Sequence, residues 1–251
     1  MPTKMFLGQI TIASAATRVL ATLLASVLPS VAQSNPPVNY EPPKDEESNQ
    51  KTEPATSRPG CPETANRIAA LVPKYYVGLT ASDRPEFLVY IPYYFANEQS
   101  GKLILKDAET QRDIYQTTLP LTDTPGIISF RLPENAPQLQ QNKLYQWDFL
   151  YTGNQGICRD ITVQKLPLKR VTIPDSLKRQ LDAAATPRDR VVLYAGNGLW
   201  HEAVAELASL RRQAPDDEDL KADWENLLRD RDVRLEQIAS EPISPCCNAN
   251  R

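Results

Sequence analysis

The stretch LYQWDFLYT, residues 144–152, alternates aromatic and polar side chains. Its aromatic residues occupy every second position: Tyr145, Trp147, Phe149 and Tyr151. Gln146 and Asp148 lie between them. Successive side chains of a β-strand point to opposite faces, so this spacing predicts a strand with one aromatic, buried face.

Five further apolar runs have strand length: EFLVYIPYY (86–94), KLILKD (102–107), DIYQTTL (113–119), GIISFRL (126–132) and CRDITVQKL (158–166). Prolines fall mostly at the boundaries of these runs, where a missing amide does least harm to a β-ladder. The segments AETQR (108–112) and GNQG (153–156) have the composition of hairpin loops. Residues 61–171 are therefore predicted to form an antiparallel, immunoglobulin-like β-sandwich.

After Val171 the apolar residues recur at every third or fourth position, which is the helical period. One helix is expected to begin near Asp175, a second to run from Pro187 to about Gly196, a third to carry Trp200 and a fourth to follow Pro215. Residues 172–251 are therefore predicted to form an α-helical bundle. The predicted fold class is α+β.

The first 60 of the 251 residues have a different character. Residues 1–32 combine positive charge, an apolar run of about ten residues (VLATLLASVL) and the small residues SVA, which is typical of a cleaved signal peptide. Retention as a membrane anchor is the alternative, although spanning a bilayer takes roughly 20 apolar residues. Residues 33–60 are rich in Pro, Glu and Ser, and are predicted to form a disordered tether.

The chain has four cysteines: Cys61, Cys158, Cys246 and Cys247. An even number in an exported chain favours disulfides, and four cysteines allow three pairings, among which the spacing does not choose. We favour Cys61 with Cys158, because a bond between the adjacent Cys246 and Cys247 would be strained. The spacings match no zinc site, and no metal or other cofactor is predicted.

Motifs of common enzyme classes are absent from the sequence, including GxSxG, GxxxxGK, HExxH and GxGxxG. The one histidine, His201, precedes Glu202 in the third predicted helix. Helix neighbours diverge by about 100°, so the pair is not expected to exchange a proton, and His201 is predicted to be solvated. We therefore expect no catalytic residues and no enzyme activity. A net charge of −3 also gives no support to nucleic-acid binding.

An aromatic triplet, Tyr93, Tyr94 and Phe95, follows one predicted strand. Three consecutive side chains of a strand cannot all point inward, so at least one ring is expected at the surface. Exposed aromatic rings commonly anchor protein interfaces. These three residues are the predicted binding surface.

The helical part resembles a single tetratricopeptide repeat. Six residues stand at the spacing of that family: Tyr194, Gly198, Trp200, Ala203, Leu207 and Pro215. Leu210 departs from the pattern, because the family usually has a small residue there. The resemblance implies two antiparallel helices that need a further layer to cover them.

The part of the chain after the tether resembles a cyanobacterial exported family, domain of unknown function 928. The similar segments are CP (61–62), ALVP (70–73), GLT (78–80), FLVYIPY (87–93), TPGIISFRLP (124–133), YQW (145–147), YAGNGLWHEAVAELASLR (194–211) and CC (246–247). The resemblance implies export, to the periplasm or the cell exterior, and carries no active site.

From these observations we expect a protein-interaction module of the cell envelope. Its partner would be another envelope or secreted protein, with no nucleic acid and no membrane span once the signal segment is removed. A glycan-binding or glycan-cleaving envelope protein is the alternative.

Overall fold

A computed structural model describes residue 1 and residues 36–48, 64, 66–93, 99–121, 124–152 and 161–245. The described residues from Pro36 onward belong to one compact unit. Among them, no helix combines the length and apolar character needed to cross a bilayer. The predicted signal segment and all four cysteines lie outside the described residues, so the export and disulfide predictions stand as predictions.

Two β-sheets are present in this unit, and antiparallel pairs dominate both. The first sheet has the order β1 (Ala69–Ala70), β3 (Glu86–Ile91), β6 (Gly126–Arg131) and β9 (Ile243–Pro245). The second has the order β2 (Gly78–Thr80), β8 (Ile161–Arg170), β7 (Leu144–Thr152), β4 (Ser100–Asp107) and β5 (Asp113–Pro120). Only β2 with β8 and β6 with β9 run parallel within the described residues.

The two sheets share one apolar core. Phe87 of the first sheet meets Trp147 of the second, with ring centroids 4.7 Å apart, and Phe130 lies 6.2 Å from Phe149. The predicted aromatic face of β7 is confirmed, because Tyr145, Trp147, Phe149 and Tyr151 are all buried. Burying these rings together removes a large apolar area from water and holds the sheets face to face.

In the described part of the chain, four α-helices lie between β8 and β9: α1 (Asp175–Ala183), α2 (Pro187–Gly196), α3 (Trp200–Gln213) and α4 (Glu218–Arg229). A short 3-10 helix (Glu236–Ile238) comes after them. The apolar faces of α2, α3 and α4 share a second core with the first sheet, including Leu88 and Tyr90 of β3. Strand β3 is therefore covered on both faces, which explains the continuous apolar run FLVYI (87–91) that follows Glu86.

Each of the six predicted strand runs overlaps an observed strand, and each of the four predicted helices overlaps an observed helix. Three short strands were missed, because β1, β2 and β9 have only two or three residues each and show no periodicity. Strand β9 lies at the end of the predicted helical region but pairs with β6. The change of period near residue 171 therefore marks a change of layer within one compact unit.

Part of the predicted tether is ordered, which corrects that prediction for residues 36–48. We call this segment the strap. Val38 is fully buried and the Tyr40 ring meets Trp200 edge-on, with centroids 5.0 Å apart. Further along, Glu41 N donates to Ala195 O at 3.0 Å and Lys169 pairs with Glu46 at 2.5 Å. The segment is polar overall, but its two apolar residues Val38 and Tyr40 are buried against the rest of the protein. The prediction from average composition did not take these two residues into account.

Candidate functional site

Helix α3 lies between the first sheet and solvent, and its two faces differ. Its apolar residues point into the core: Trp200, Ala203, Val204, Leu207 and Ala208 are all fully buried. The opposite stripe lines an open cleft and contains Glu202, Ala205, Glu206, Ser209 and Arg212. The helix begins after Gly198, whose positive φ of +73° reverses the chain between α2 and α3.

His201 is buried, with 3% of its surface exposed, so the prediction of a solvated imidazole was wrong. Its Nδ1 lies 3.1 Å from the carbonyl oxygen of Glu86. Because a carbonyl only accepts, Nδ1 carries the hydrogen and Nε2 is a bare acceptor, which has no partner among the described residues. His201 is covered because β2 and β3 lie over the first turn of α3. The position of a residue on its own helix does not show whether strands from elsewhere in the chain cover it.

Burial lowers the pKa of His201 to about 4, and the bond to Glu86 opposes this shift only in part. The imidazole is therefore neutral at pH 7. It fits tightly against β2, since a Cβ added to Gly78 would lie 2.8 Å from Nε2. These contacts give His201 a structural role in joining α3 to the sheets.

This burial predicts a pH-dependent stability. The unfolded chain binds a proton on His201 near pH 6.5, whereas the folded chain resists it until about pH 4. The free energy of unfolding should therefore fall, by roughly 3 kcal/mol, as the pH drops through this window. Urea denaturation of wild type and His201→Gln at pH 7 and pH 4 measures the difference between the two proteins, so groups common to both cancel. A difference that does not change with pH would contradict the assignment.

Glu202 is held by the loop that joins β2 to β3. Its Oε1 accepts hydrogen bonds from Thr80 Oγ1 at 2.6 Å, Ala81 N at 2.9 Å and Ser82 N at 3.1 Å. Its Oε2 is buried without a partner among the described residues. Burial raises the pKa of Glu202, while the three hydrogen bonds lower it. His201 and Glu202 are thus bonded to different segments of the chain and form no acid–base couple.

The cleft has a volume of about 440 Å³ and is walled by α3, by α2 and by the β2–β3 loop with the end of β6. Four arginines line it: Arg84, Arg131, Arg190 and Arg212. Three carboxylates line it as well: Glu86, Glu202 and Glu206. The arrangement provides charged groups and hydrogen-bonding groups of both signs, which suits the binding of a polar ligand.

Each arginine of the cleft has a contact within the protein. Arg131 pairs with Glu86 at 3.4 Å, Arg190 pairs with Glu206, and Arg212 Nη1 donates to Ser129 Oγ at 3.2 Å. Arg84 Nη2 donates to the carbonyl oxygen of Glu134 at 2.9 Å. Sequence reasoning missed all four residues, because they come from separate elements of the chain. The polar stripe of α3 was the one available signal.

The predicted aromatic surface is only partly described. Tyr93 is 4% exposed and packs on Tyr151 in the core between the sheets, with centroids 5.4 Å apart, so it is not a surface residue. Tyr94 and Phe95 lie outside the described residues. Tyr93 does not line the cleft. Within the described part of the chain, no group of three or more His, Cys, Asp and Glu side chains is placed to hold a metal ion.

The segments that carry the family resemblance meet at the start of α3. The carbonyl of Leu71, in ALVP, accepts from Trp200 Nε1 at 2.8 Å. Thr80, in GLT, bonds Glu202, and Phe87, in FLVYIPY, lies 5.7 Å from the His201 ring. These contacts describe a protein of two packed sheets and a helical layer, with a polar cleft above α3.

The family described as Domain of Unknown Function (DUF928) matches residues 53–243, and the chain belongs to it. No curated protein matches the chain. The family match covers strands β1 to β8 and the helical layer, which agrees with their forming one compact unit.

Proposed function

We propose that this chain is an exported, non-enzymatic binding module of the cell envelope, periplasmic or extracellular, which holds another envelope or secreted protein in the cleft above α3. One observation carries the proposal: an open cleft of about 440 Å³ whose acid–base candidates, His201 and Glu202, are bonded to backbone groups. The hydrogen bonds of His201 and Glu202 go to different segments of the chain, so the two residues do not act on each other as acid and base. Binding requires only the shape and the charges that the cleft already has.

Export and origin in a cyanobacterium rest on the sequence pattern of residues 1–32 and on the family resemblance. We also propose that the two sheets form an immunoglobulin-like sandwich and that α2 and α3 form a tetratricopeptide-like helical pair. Two packed sheets support the first. The second is supported by consecutive helices, α2 and α3, joined by residues 197–199, since a short connection favours antiparallel neighbours.

Filling the cleft should abolish partner capture. Ser209 lies on the cleft stripe of α3, so Ser209→Trp would occupy the space with an indole ring. Tagged wild type and variant are used for affinity capture from native envelope extracts, followed by mass spectrometry. Gln180→Trp, at an exposed site on α1, is the matched control and should retain the partner. Equal capture by wild type and Ser209→Trp would rule the cleft out as the docking site.

A glycan-binding or glycan-cleaving function is the second candidate, and Glu202 is the observation that favours it. A carboxyl whose pKa is raised by burial, with Oε2 unpartnered at a cleft, has the character of a general acid. A glycan array bound by wild type, with reducing ends released by wild type but not by Glu202→Gln, would decide for this candidate.

A further inference from the structure

The charge of the cleft differs from the charge of the chain. Four arginines and three glutamates line it, whereas the whole chain has a net charge of −3. The cleft is therefore locally positive on an acidic protein. Opposite charge between a cleft and its ligand raises the rate of encounter and selects among ligands.

The arginines keep capacity for a ligand. A guanidinium has five N–H donors in a planar fork. The side chain of Arg131 is 68% exposed and is paired with Glu86, while Arg212 is half-buried and donates to Ser129 through Nη1. Guanidinium groups bind carboxylates and phosphates through two parallel hydrogen bonds, so these groups suit an anionic ligand of either kind.

The cleft also contains an acceptor that a hydrogen-bond donor of the ligand could satisfy. Glu202 Oε2 is a buried acceptor without a partner among the described residues. A uniform polyanion such as polyphosphate offers it no hydrogen. A polypeptide offers backbone N–H donors between its acidic side chains and meets both demands.

The dimensions agree with a short extended segment. The stripe of α3 from Glu202 to Arg212 is about 15 Å long. An extended chain of roughly four or five residues covers that length. We propose that the cleft binds an extended acidic segment of a partner polypeptide, with carboxylates on Arg131 and Arg212 and a backbone N–H on Glu202. This inference rests on the binding function proposed above and names its ligand.

Fluorescence anisotropy of the full chain tests this directly. The probe is a labelled peptide of roughly eight residues that alternates Glu and Ser, compared with its Gln–Ser counterpart. We expect binding of the Glu–Ser peptide that weakens with salt, and at least about tenfold weaker binding by the double variant Arg131→Gln, Arg212→Gln. The double variant Lys178→Gln, Arg179→Gln removes the same charge from exposed positions of α1 and should bind as wild type does.

Equal binding of the Glu–Ser and Gln–Ser peptides, or equal binding by the cleft double variant, would overturn the inference. So would binding of an oligogalacturonate, an acidic sugar chain, in the absence of peptide binding. If Ser209→Trp loses its captured partner while the acidic peptide fails to bind, the binding function stands and only the ligand class is wrong. If the peptide binds as expected while capture is unaffected by Ser209→Trp, the docking proposal fails and the acidic-peptide site remains.

Discussion

Trp200→Ala is expected to lower the free energy of unfolding by roughly 3–5 kcal/mol. The indole is fully buried, its Nε1 donates to the carbonyl of Leu71 at 2.8 Å and its ring meets Tyr40 of the strap. The substitution leaves a large cavity and an unpaired buried carbonyl, both of which are costly. Urea denaturation followed by circular dichroism measures the loss.

Two further measurements separate the contributions of Trp200. Trp200→Phe keeps most of the ring volume but removes the N–H, and should cost distinctly less than the alanine variant. Limited proteolysis should cut the strap faster in Trp200→Ala, because Tyr40 loses the ring against which it packs. A loss below about 1 kcal/mol in the alanine variant would show that this core packs differently.

Asp223→Ala is expected to destabilise the protein by a similar amount, roughly 3–5 kcal/mol. Asp223 accepts two hydrogen bonds from Arg188, at 2.7 and 2.8 Å, and its side chain is only 4% exposed. The variant leaves a guanidinium that cannot lose its charge in a largely buried position. Arg188 also donates to the carbonyl of Pro36 at 3.0 Å, so the start of the strap should loosen as well.

The matched control replaces both partners with apolar residues of similar size. Arg188→Met combined with Asp223→Leu removes both charges and should be more stable than Asp223→Ala alone, since no buried charge is left unpaired. Unfolding in urea of Arg188→Met, Asp223→Leu and the double variant completes the double-mutant cycle. Strictly additive losses would contradict the coupling of the two side chains.

Several elements were predictable because their signals are local. Four aromatic residues at every second position indicate strand β7. Helix α2 is indicated by Thr186 and Asp189, which form a capping box, and by Pro187 in the first turn. Strands β1 and β9 have no such signal. They exist because a neighbouring strand, β3 or β6, offers them hydrogen bonds.

The candidate site was less predictable because it also depends on residues that are distant in sequence. His201 and Glu202 were correctly placed on α3, but His201 was wrongly expected in solvent. The layer that covers it comes from Gly78 and Glu86, more than a hundred positions earlier. The arginines of the cleft have ordinary surface character in the sequence. Their common position is a property of the packing.

By itself, the sequence determined the two hydrophobic rhythms, the strands and helices that follow from them, and the family to which the chain belongs. Periodicity acts between neighbours along the chain, so it is readable without coordinates. Only the tertiary structure decided that β3 is covered on both faces, that the strap packs on the helices and that α3 carries a polar cleft. These depend on contacts between residues distant in sequence, where the burial of apolar surface, rather than local preference, selects the partners.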